Sequence, residues 1–195
     1  MVCLQCGDSF AKDELKNGEL CPSCERVYDD PPPYGQVAKI SLPEVNKYVS
    51  AIQSHLAENT NSKRLNTSLG ICFIRLKLYD KALPFFEKAM EDNYEDPYSY
   101  FYAAVCLLKG KKAFVSTRPE IDKMEAYLKA AADLDTKGIF YYFMAYIKYD
   151  YFSRKAFKTN PTWQEVLASA TEAKVSEDDV AEFYRLTGVE RPNCL

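Results

Sequence analysis

Four cysteines crowd the start of this chain as two C-x-x-C pairs, Cys3 with Cys6 and Cys21 with Cys24, and fourteen residues separate the pairs. A C-x-x-C turn folds both sulfurs to one side, so two such turns supply the four tetrahedral thiolates of a closed structural zinc site. The intervening stretch is long enough for a hairpin; Gly7 follows the first pair and Pro22 lies inside the second, both features of zinc ribbons. A segment of about 28 residues buries too little apolar surface to fold by itself, whereas zinc-coupled folding contributes on the order of 10 kcal/mol in such peptides. The expectation is one structural Zn2+ held by Cys3, Cys6, Cys21 and Cys24. With four protein ligands no position is left for an activated water.

Seven cysteines are an odd number for a secreted disulfide framework, and the opening Met1-Val2-Cys3-Leu4 has neither the basic start nor the apolar core of a leader. A reducing, cytoplasmic location is expected, and no run approaches the roughly 18 apolar residues of a membrane span. Two other readings compete for the cysteines. Cys21-Pro22-Ser23-Cys24 alone resembles a thiol redox pair, but that chemistry needs a thioredoxin-like strand and helix around it, which the sequence does not offer. A zinc-ribbon nucleic-acid adaptor needs a basic surface, and here Lys12, Lys16 and Arg26 face Asp8, Asp13, Glu14, Glu19, Glu25, Asp29 and Asp30. With the whole chain at −3, nucleic acid and membrane are disfavoured as partners.

Beyond residue 28 the composition changes. Asp29-Asp30-Pro31-Pro32-Pro33-Tyr34-Gly35 cannot continue a helix, so residues 29–40 read as a proline-rich linker and 41–195 as a helical domain. Ser41 with Glu44 forms a capping box, followed by Val45, Tyr48, Val49, Ile52 and Leu56 at helical spacing. Leu65, Leu69, Cys72, Phe73 and Leu76 form one stripe; Ala82, Phe85, Phe86 and Ala89 form the next, across a turn at Lys77-Leu78-Tyr79-Asp80. Further on, Pro161 opens a helix carrying Trp163, Val166, Leu167 and Ala170, and Ser176 with Asp179 caps a last one that Gly188 ends.

With Gly70 as a small residue of one helix and Ala82, Phe86 and Ala89 on its partner, residues 63–150 resemble the tetratricopeptide repeat (TPR) family, whose helix-turn-helix unit spans about 34 residues. One period on, Ala103-Ala104-x-Cys106-Leu107 follows Leu69-Gly70-x-Cys72-Phe73. Met124, Leu128 and Ala131 repeat the partner helix after an insertion near residues 109–119, and a third unit starts near Lys137-Gly138. The fold class expected is mainly α, a TPR-like solenoid of helical hairpins behind a small N-terminal zinc ribbon.

The resemblance implies a concave groove for a peptide or protein partner, lined by Ile71 and Arg75 in the first unit, by Tyr98, Phe101, Val105 and Lys109 in the second, and by Tyr142 in the third. Thr67 and Ile71 stand where the family's carboxylate clamp needs polar side chains, which argues against chaperone tails. His55 is the single histidine, and no phosphate loop or nucleophile motif is present, so no enzyme is expected. Lys109, Lys111, Lys112 and Arg118 form a basic insert that could meet an acidic partner.

Overall fold

Ser41 opens the first long helix as its capping box requires: its backbone N–H donates to the Glu44 carboxylate at 3.1 Å. That helix belongs to a computed structural model that describes residues 3, 11–16, 21–23, 25, 34–58, 60–91 and 95–195. Every helix and turn of helix among these residues comes without a β-strand beside it; Lys16 alone is in a bridge. The chain divides into two compact units, residues 1–94 and 95–195, so the helical stretch read as one domain is cut near Tyr94.

The first unit contains α1 (Tyr34–Val37), α2 (Leu42–Glu58), α3 (Lys63–Arg75) and α4 (Tyr79–Ala89). Within the segment read as linker, α1 packs on α3: Val37 is buried, and Arg75 donates through Nη2 to the Ile40 carbonyl at 3.2 Å. Val45, Ile52 and Leu56 of α2 are buried, as their spacing predicts. Helix α3 stops in a Schellman turn, with Lys77 at φ 59° and the Leu78 N–H returned to the Phe73 carbonyl at 2.9 Å. Tyr79 and Asp80 are therefore the first turn of α4 rather than part of the loop.

Helices α3 and α4 interdigitate through size contrast. Gly70 and the fully buried Phe86 meet so closely that a Cβ on Gly70 would lie 2.6 Å from the Phe86 ring. Phe73 and Phe85 stack at 5.5 Å beside them.

The second unit contains α5 (Pro97–Leu108), α6 (Arg118–Leu134), α7 (Gly138–Ile147), α8 (Trp163–Glu172) and α9 (Glu177–Thr187). Asp96 caps α5 by accepting from the Tyr98 and Ser99 N–H groups at 3.1 and 3.2 Å. Thr162, rather than Pro161, caps α8 in a box with Glu165, and Ser176 with Asp179 caps α9, which ends at Gly188 with φ 67°. Helices α5 with α6 and α7 with α8 pack most extensively, and Ala104, Met124, Leu128 and Ala131 are fully buried. Helix α7 runs on into one π-turn, Lys148–Phe152.

Gly138 begins α7 against backbone: a Cβ there would sit 2.5 Å from the Val175 nitrogen and 2.8 Å from the Ala170 oxygen. Gly138→Ala is expected to destabilise the second unit by about 1–3 kcal/mol, as overpacking does. Urea unfolding followed through Trp163, the chain's single tryptophan, measures it. Gly70→Ala should cost less, because alanine recovers about 1 kcal/mol of helix propensity against the loss of room for the ring.

Candidate partner-binding surfaces and metal site

Of the four proposed zinc ligands, Cys3 and Cys21 are described and fully buried; Cys6 and Cys24 lie outside the described residues. The backbone after Cys21 turns back on itself: the Glu25 N–H donates to the Cys21 carbonyl at 2.9 Å, and Glu25 has φ 57°. Glu25 also pairs with Lys16 at 2.5 Å, and this contact holds its carboxyl below the usual carboxylate range. Among the described residues, then, two thiols of the expected kind are present, and no group of three or more metal-ligating side chains is found.

The residues expected to line a groove are found in three different settings. In the first unit Ile71 is buried, and Arg75 is half-buried, with its Nε lacking a hydrogen-bond partner among the described residues. In the second unit Phe101, Val105 and Tyr142 are buried, while Tyr98 is 39% exposed and Lys109 is exposed and paired with Glu120 at 3.1 Å.

The burial in the second unit comes from its last helix. Helix α9 packs on α5 and α7, and Phe183 enters a cage of rings: Phe143 at 4.7 Å, Tyr146 at 5.6 Å and Tyr142 at 5.9 Å. On the α5 side, Phe101 meets Phe140 at 5.6 Å and Phe143 at 5.9 Å, and Tyr98 meets Phe140 edge-on at 5.6 Å. Tyr142 and Tyr184 join hydroxyls at 3.1 Å. The side chains read as a groove wall at Phe101, Val105 and Tyr142 are thus core, and α9 lies over α5 and α7. Val180, Phe183 and Tyr184 repeat at helical spacing, which marks α9 as amphipathic; the spacing carries no information on which helices it meets.

Burial also decides the acid-base character of these groups. It pushes Tyr142, Tyr146 and Tyr184 above the ordinary tyrosine range, so all three are neutral phenols at physiological pH. The Cys72 thiol is pushed up to about 12 by burial and stays protonated.

A second feature went unread in the sequence. Asp150, in the π-turn, is 2% exposed and binds the loop before α6: it accepts from the Phe114 N–H at 2.8 Å and from Arg154 Nη1 at 2.5 Å. The Tyr146 hydroxyl accepts from the Ala113 N–H at 3.4 Å and donates to Asp150 at 3.5 Å. A lone acidic residue in a basic, aromatic stretch was the only available signal.

No helix among the described residues is long and apolar enough to cross a membrane. No protein-family model matches the chain, and neither the curated proteins nor the solved structures contain a match to it.

Proposed function

We propose that the chain is a noncatalytic, cytoplasmic protein-interaction module. One structural zinc at Cys3, Cys6, Cys21 and Cys24 holds an N-terminal ribbon, and a TPR-like helical array presents surface to a peptide or protein partner. The observation that carries the array reading is the repeat of position and size. Helices α3 and α5 begin 34 residues apart, at Lys63 and Pro97, and the Gly70 to Phe86 contact has its counterpart in buried Ala104, Met124 and Leu128. Buried Cys3 and Cys21 and the reversed turn at Glu25 support the metal reading. When bound, the zinc supplies folding free energy and no open coordination site.

Helix α9 restricts where a partner can sit. Tyr98 and Lys109, which remain exposed, are the groove candidates of the second unit open to contact. The test is metal analysis of the reduced full chain together with partner capture by that chain and by a Cys3→Ser, Cys21→Ser variant. One zinc per chain, lost in the variant, and specific partners retained by the parent are expected. A metal-free reduced protein, or rapid alkylation confined to Cys21 and Cys24, would overturn the zinc reading in favour of thiol redox chemistry.

A further inference from the structure

Two connections in the second unit are far longer than the three residues, 76–78, that join α3 to α4: residues 109–117 before α6 and residues 148–162 between α7 and α8. Both lie where a first helix of a pair ends and its partner begins. Asp150 in the second ties it to the first by accepting from the Phe114 N–H, and Arg154, held by Asp150, lies over the Phe114 ring, so they form one ordered surface.

That surface has an unusual charge. Residues 109–118 and 148–158 hold eight lysines or arginines against the single acidic Asp150, in a chain whose net charge is −3. Arg118 pairs with Asp122 at 2.7 Å and Lys148 with Glu125 at 3.6 Å, whereas Lys155 and Lys158 make no ion pair among the described residues. The cations sit on rings: Arg118 lies 4.9 Å from the Phe152 centroid, Arg154 4.5 Å from that of Phe114, and Lys155 3.8 Å from that of Tyr151. Tyr151 in turn meets Phe157 at 6.5 Å, so cations and aromatics form a continuous field. Phe157 is 53% exposed and Val115 63% exposed. A cleft of about 500 Å³ opens in this field, lined by Arg118, Lys148, Lys158, Phe152 and Phe157 with Glu125 as the one carboxylate.

We propose that this face docks an extended acidic peptide segment, one whose carboxylates meet Lys155, Lys158 and Arg118 while an aromatic or large aliphatic side chain packs on Phe157. Charge complementarity selects the partner, and the exposed ring supplies the apolar anchor. Single-stranded nucleic acid fits less well, because stacking needs open ring faces and those of Phe114, Tyr151 and Phe152 carry cations. An anionic vesicle fits less well too, because so broad a surface also meets the acidic remainder of the chain, whereas a peptide segment need meet only the basic face. The inference rests on the interaction-module reading for the class of its partner, and on neither the zinc nor the repeat register.

The experiment is fluorescence anisotropy of the full chain with a labelled peptide of alternating Glu and Phe, against the same peptide with Gln for Glu, a single-stranded oligonucleotide and phosphatidylserine vesicles. Preferential binding of the Glu peptide, weakening with salt, is expected. The Lys155→Glu, Lys158→Glu variant should bind at least about tenfold more weakly, and Phe157→Ser should also lose affinity. Lys81→Glu, in the first unit, should not change it. All these side chains are exposed or half-buried, and circular dichroism checks the fold. Equal binding of the Gln peptide, indifference to the substitutions, or a preference for the oligonucleotide or vesicles would overturn the proposal. If the peptide fails while the Lys155→Glu, Lys158→Glu variant still captures the parent's partners, the docking face falls and the module reading stands.

Discussion

A strong chelator added to the reduced chain is expected to release one zinc and unfold residues 1–28 while leaving most of the helical signal in place. The asymmetry follows from where each part finds its stability. A segment this short has on the order of 10 kcal/mol to lose with its metal and little apolar burial to replace it. The helices bury their own cores: Ile52, Leu69 and Phe86 in the first unit, and Phe140, Phe143 and Phe183 in the second, are each no more than 1% exposed. Thiol counting sharpens the test. Cys194 is exposed and should react with an alkylating agent at any time, whereas Cys72, with its thiol near pKa 12, and Cys106 are buried. Native protein should therefore modify at one cysteine and chelated protein at five. Reaction of Cys21 and Cys24 before chelation would sink the zinc assignment, and collapse of the helical signal with the metal would mean that the ribbon holds the helices together.

Local physics made much of the fold legible. Capping boxes need only neighbours three residues away: Ser176 and Asp179 make one, and at Ser41 the backbone N–H reaches the Glu44 carboxylate as such a box requires. The contrast between Gly70 and Phe86 was readable because size at a fixed spacing is a local property too. Helix ends were harder. Lys77, Ala156 and Lys174 all sit at positive φ in Schellman turns where a glycine would announce the stop, and none of the three is a glycine. The groove was hardest, because Phe101, Val105 and Tyr142 repeat at the same spacing whether their stripe faces a ligand or another helix. The covering helix begins 35 residues beyond Tyr142, at Glu177, and periodicity carries no record of such pairings. Likewise the basic run at Lys109, Lys111 and Lys112 was visible as charge, but its fixation by Asp150 joins two distant loops.

Phe183→Ala should therefore cost the second unit about 3–5 kcal/mol, a large share of the 5–15 kcal/mol typical of a domain. Phe183 is fully buried, and its ring touches Tyr142, Phe143 and Tyr146 of α7 as well as its neighbour Tyr184, so truncation leaves a cavity walled by rigid rings. Urea unfolding read through Trp163 in α8 reports this unit alone. Tyr184→Phe separates packing from hydrogen bonding: it keeps the ring and removes the 3.1 Å contact with Tyr142, for a cost near 1 kcal/mol. The size of the Phe183 effect discriminates between two roles of α9. A helix merely resting on a ligand groove could lose its anchor with the Trp163 transition almost unmoved, leaving Phe101 and Tyr142 open to a hydrophobic dye. A loss of several kcal/mol makes α9 part of the core and removes the face it covers from the surfaces a partner can use. The exposed candidates left in this unit are then Tyr98, Lys109 and the loop end where Lys155, Phe157 and Lys158 stand.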